Sequence, residues 1–178
     1  MLGALEFAKM LHAAQTLLLL IFPALVIAGA LKDLTSFTIP NQISLALAAA
    51  FPIAAIALGV SPSVIGLSVA VGVVALVMGM GMFAAGWIGG GDAKLFAAAA
   101  LWLGLPGAMS YLLFTCMAGG ALAIGLLGLR SQRVRAIMPA GPAWFTRLAE
   151  PGENVPYGVA IAVGALAAFP VSPLAAHL

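Results

Sequence analysis

The chain has 178 residues, of which 64% are hydrophobic and only 7% charged, with a net charge of +2 and a mean hydropathy of +1.20. Soluble domains carry about a quarter of their residues as charges, so this composition excludes them and predicts an all-α, polytopic membrane bundle in which about six spans of about 20 residues fill the length. The small positive excess lies near predicted membrane boundaries rather than in a basic surface, so no nucleic-acid partner is expected, and the single cysteine, Cys116, excludes an intrachain disulfide and a cysteine zinc cluster.

Apolar runs punctuated by glycine, proline or charge predict spans near residues 13–31, 43–59, 63–86, 95–105, 108–129 and 156–175. The first, with Lys9 ahead of it and Ala28-Gly29-Ala30 at its end, imitates a secretory signal. It is read as a span because Glu6 rather than a basic cluster precedes it and more spans follow. Asp33 stands at its end, and the more polar stretch Leu34 to Asn41, broken by Pro40, is a turn into the second span. The third leads to Gly89-Gly90-Gly91-Asp92-Ala93-Lys94. The fourth reaches only about 16 Å as a helix, so it must extend back toward Asp92, thin the bilayer or stay buried among its neighbours. After the fifth comes a connection over 130–155 whose Arg130, Arg133, Arg135 and Trp144-Phe145 suit the headgroup region. Val155-Pro156-Tyr157-Gly158 then opens the last span, with Pro156 near its first turn.

Six of the seven basic residues, Lys32, Lys94, Arg130, Arg133, Arg135 and Arg147, fall on one side of this arrangement, while the connections near Val60-Ser61-Pro62 and Pro106-Gly107 are uncharged. The positive-inside rule makes that side cytoplasmic and both termini non-cytoplasmic. Asp33 and Asp92, the only aspartates, are then expected at the same cytoplasmic depth.

A carboxylate in hydrocarbon costs about 2.5–3.5 kcal/mol at a helix centre and less near an interface, so function is its default explanation. If the two aspartates meet they share a proton: the ionised member can take a proton from water while the protonated one polarises a scissile carbonyl, with no metal or cofactor required. A serine or cysteine mechanism lacks support, since His12 and His177 fall toward the opposite side and no nucleophile elbow is present. The glycines at 89–91 permit close backbone approach and positive φ, so that an extended substrate can lie beside Asp92; Gly86 with Gly90 also forms a small-xxx-small packing pair. Lys94 either stabilises negative charge or reaches to phosphates, and Tyr157 either lines the site or anchors at the interface.

Taken together, Asp33 followed by Ile39-Pro40-Asn41, Gly89-x-Gly91-Asp92 with Lys94, and Val155-Pro156-Tyr157-Gly158 resemble the type IV prepilin peptidase family of membrane aspartic proteases, over nearly the whole chain. The resemblance implies one transmembrane peptidase domain over 1–178 in the bacterial inner membrane, with Asp33 and Asp92 as the catalytic pair. Gly89, Gly91, Lys94, Pro40, Asn41, Pro156 and Tyr157 would shape the site or bind substrate. Its substrates would be prepilins, whose short basic leader, ahead of a hydrophobic helix, is cut at the cytoplasmic face. The chain lacks the length and the paired cysteines of the larger, methylating members, so it is similar to the small branch linked to Flp-type, tight-adherence pili. Presenilin-like proteases share the Gly-x-Gly-Asp element but resemble the chain less, because Ala30-Leu31-Lys32 precedes Asp33 here and Pro23-Ala24-Leu25 lies before the first aspartate rather than after the second. Two other classes fit the same acids. An ion-coupled transporter would place them near the midplane of repeated halves, and an assembly subunit would tolerate their loss.

Overall fold

The computed structural model describes residues 2–138 and 141–177, and among these every regular element is helical. Helix α1 runs over Leu2–Ser36, α2 over Asn41–Ala57, α3 over Pro62–Ala84 and α4 over Gly90–Leu129; α5 (Gln132–Ile137) and α6 (Ala143–Leu148) are short, and α7 covers Tyr157–Ala168 before two 3-10 turns. Local chemistry sets the boundaries. Phe37 turns left-handed at φ 54° to end α1, and Pro40 leads into α2. Gly59 and Gly86 supply the positive φ that closes α2 and α3, and Pro62 opens α3 at a position where its missing amide costs nothing. The predicted last span ends early, at Ala168, where Pro170 and Pro173 interrupt the helical hydrogen bonding.

Helix α4 is two arms. At Gly104 the backbone adopts φ 58° and ψ −168°, and the chain folds back, so that the Tyr111 hydroxyl donates to the Phe96 carbonyl at 3.3 Å and their rings stack at 4.9 Å. The apolar runs at 95–105 and 108–129 fall on these arms. The short one does extend back past Asp92, reaching about 21 Å from Gly90 to the bend at 1.5 Å per residue, and its Ala93, Leu95, Ala97, Ala98, Ala99, Ala100, Trp102 and Leu103 are buried. Only glycine fits the bend. A β-carbon at 104 would stand 2.7 Å from Ser68 Oγ and 3.1 Å from Pro173 Cγ, in a backbone region that L side chains avoid. Gly104→Ala is therefore expected to lower stability by about 1–3 kcal/mol, read as an earlier thermal unfolding transition in detergent. Gly66→Ala, where a β-carbon meets nothing within 4 Å, is the neutral comparison.

Helix α4 is the centre on which α2, α3 and α7 pack, α2 and α3 on its first arm and α7 along its second, where Gly119 meets Ala160 and Gly164 meets Thr115, and α1 closes against α2 and α7. Its alanines, with Ala160, Ala162, Ala165 and Ala168 of α7, let helix backbones approach closely, as small residues do where lipid supplies no hydrophobic drive for helix association. At the Gly104 end Trp102 fills the core, its Nε1 donating to the Leu47 carbonyl at 2.7 Å between Phe22 and Phe51. Large apolar side chains, among them Met10, Ile53, Val77, Met109 and Leu127, face outward. Three helical segments, Leu5–Ser36, Pro62–Ala84 and Gly90–Leu129, are long and apolar enough to cross a membrane, which marks the chain as a membrane protein.

Candidate active site

Asp33 lies near the C-terminal end of α1 and Asp92 in the first turn of α4, and the bundle brings these ends together with the start of α7. Both carboxyls are buried, with relative exposures of 4% and 7%. The Gly158 amide donates to Asp33 Oδ2 at 2.7 Å, across 125 positions of sequence, and Ile39 links the two acids, lying against Gly158 on the Asp33 side and against Gly91, the neighbour of Asp92, on the other. Asp92 Oδ2 accepts the Gly89 amide at 3.1 Å, whereas its Oδ1 is buried without a hydrogen-bond partner among the described residues. Each acid thus takes a donor from a helix start, Asp92 from that of α4 and Asp33 from that of α7, where backbone amides have no partner within the helix.

Ile39 is the spacer in this arrangement. A β-carbon on Gly91 would come within 3.1 Å of Ile39 Cβ and 3.2 Å of its carbonyl oxygen, and one on Gly158 within 2.9 Å of Ile39 Cδ1, Asp33 Cβ and Asp33 Oδ2. A β-carbon on Gly89 would meet Asp92 Oδ2 at 2.9 Å. These glycines serve close approach within the chain. The expected positive φ at 89–91 does not occur: Gly89 has φ −73° and Gly90 already begins α4, because the left-handed residue of this turn is Gly86. With Gly86 outside both helices, it and Gly90 are no helical packing pair; Gly90 lies against the Phe83 ring instead.

Pro156 is fully buried and, with the Tyr157 amide donating to the Val155 carbonyl at 2.8 Å, forms the tight turn that directs the Gly158 amide at Asp33. Tyr157 helps line a cavity of about 450 Å³ between α3, the second arm of α4 and α7. On the other flank Pro40 sets the start of α2, where Asn41 Oδ1 accepts from Lys94 Nζ at 2.9 Å. Lys94 makes no ion pair with Asp92 among the described residues. The connection over 130–155, of which Pro139 and Ala140 lie outside the described residues, is tied down by its own arginines. Arg130 donates to the carbonyls of Leu148 and Asn154, and Arg147 pairs with Glu153 at 3.1 Å and lies 4.7 Å over the Phe37 ring.

The sequence marks both acids and sets Gly158 and Ile39 in the motifs around them, without showing that either touches the site. The signal was their sequence neighbourhood; their contact with Asp33 needed the fold. Ser44 and Thr115, whose hydroxyls are buried without hydrogen-bond partners among the described residues, carry no signal in the sequence. The sequence profile described as the type IV leader peptidase family matches residues 20–124, a stretch that contains Asp33, Asp92 and both elements around them and stops before α7. No curated protein and no solved structure matches the chain.

Proposed function

The chain belongs to the type IV leader peptidase family, and from that footing we propose that it is a membrane aspartic endopeptidase that removes the short basic leader from prepilins of the Flp type, using Asp33 and Asp92 to activate water. The observation that carries the proposal is the pair of buried carboxyls gathered at one end of the bundle about Ile39, each held by a backbone amide. Two like charges in so apolar a place are costly, so the pair keeps a single proton between them and offers one base and one acid. The base takes a proton from water as it attacks the peptide carbonyl, and the acid protonates the carbonyl oxygen. The member that took the proton from water then gives it to the leaving nitrogen, while its partner takes one from a hydroxyl of the tetrahedral intermediate. C–N cleavage thus releases the leader with its new carboxyl group and the new amino terminus, and the pair again holds one proton. The chemistry belongs to the pair rather than to either member.

Arrangement in the membrane is part of the same proposal: about six spans with the arms of α4 counted separately, termini outside, and the acids at the cytoplasmic face of a bacterial inner membrane. Its support is the gathering of Lys32, Lys94, Arg130 and Arg147 around the helix ends that carry the acids. Co-expression with an Flp-type prepilin tests the function. A shorter product, with the mass of the chain lacking its leader, is expected only when the peptidase is present; intact precursor across several pilin-like substrates would overturn the assignment.

A further inference from the structure

Helices α2 and α3 both pack on the first arm of α4 but hardly on one another. The lane between them is a groove of about 510 Å³ that runs from Asn41 and Lys94, at the end of the bundle that holds the acids, to Val69 and Leu101. Its floor is made of small residues, Ala48, Gly72, Ala97 and Ala98, and its walls of the exposed Leu45, Val69, Val73 and Leu76. From Asn41 to Ala48 the lane covers about two helical turns, or about 10 Å. Two features at its polar end go beyond apolar packing. Ser44 is only 6% exposed, lines the groove, and has no hydrogen-bond partner for its hydroxyl among the described residues. Lys94 carries three N–H donors and spends one on Asn41.

Resting on the peptidase reading above, we propose that this groove seats the apolar helix of the substrate, with Ser44 and Lys94 binding the main-chain carbonyls freed where that helix unwinds for cleavage. A peptide bond inside a helix is shielded from attack, so the substrate must open its first turn, and opened carbonyls near hydrocarbon need donors. The groove supplies two donors at the end of the bundle that holds the acids, and below them a small-residue floor on which a helix about 10 Å across can lie. Recognition of main chain and apolar surface selects a helix at the right depth rather than a particular side chain. Because the floor leads away from Lys94 along α4, the part of the substrate seated there is the helix after the cut, while the basic leader remains outside the groove.

The test places a photo-crosslinking residue at Leu45 or Val73, in the groove, and at Val74 or Val163, outside it, in an Asp33→Asn background that leaves a co-expressed Flp-type prepilin uncut. Capture of the prepilin through its apolar helix from the groove positions alone is expected. Capture as readily from Val74 or Val163, or capture of a second copy of this chain or of lipid in place of prepilin at Leu45 and Val73, would overturn the groove while leaving cleavage by wild type intact. Failure of wild type to cleave would remove the peptidase reading itself. In kinetics with full-length prepilin, Lys94→Met and Ser44→Ala should each lower kcat/KM, by about tenfold for the charged donor. Unchanged values in both would contradict their part.

Discussion

Asparagine in place of Asp33 or Asp92 is expected to lower leader removal by roughly 10²–10⁴-fold, the usual contribution of a positioned acid or base. The fold should survive. An asparagine oxygen still accepts the Gly158 amide at position 33 or the Gly89 amide at position 92, the two bonds that hold the acids at 2.7 and 3.1 Å. Either variant leaves one buried acid beside a neutral amide of the same shape, with no second carboxyl competing for charge, so thermal unfolding in detergent should occur at or above the wild-type temperature. Loss of processing with retained stability separates chemistry from architecture; an assembly subunit would keep its function in both variants.

Gly158→Ala is expected to damage the site without touching an acid. The added methyl would lie 2.9 Å from Asp33 Cβ, Asp33 Oδ2 and Ile39 Cδ1, a separation that real contacts do not sustain. Either α7 withdraws, lengthening the amide bond to Asp33, or the Asp33 side chain turns away from its partner. A displacement of about 1 Å at a reacting group can cost about 100-fold in rate, and a loss of that order is expected in prepilin cleavage at matched membrane levels. Gly66→Ala, on an open surface, controls for the substitution itself and should cleave as wild type does. Normal turnover by Gly158→Ala would mean that the position of Asp33 is not critical.

Much of this site was legible because membranes make charge rare. Two aspartates in so apolar a chain draw attention, and the proline and glycines around them set the helix ends at which they lie. The break between the fourth and fifth predicted spans was readable from Pro106 and Gly107, although the reversal itself falls on Gly104. Faces were another matter. With α4 apolar on all sides, no periodicity told the buried alanines from the lipid-facing residues, and the partition followed residue size. The run at 89–91 misled for a related reason. Glycine serves both conformational freedom and close approach, and the sequence does not say which; here it is close approach, to Ile39, Phe83 and Asp92. Nor could sequence pair Lys94 with Asn41, since that bond exists only once α2 and α4 lie side by side.

In the proposed mechanism the two acids work as one unit, and the most direct measurement compares kcat/KM for prepilin cleavage among Asp33→Asn, Asp92→Asn and the double variant. Groups that act together lose their effect together. The double variant should therefore be no slower than the slower single one, within a few-fold. Multiplying losses, or wild-type cleavage by either single variant, would contradict a shared dyad.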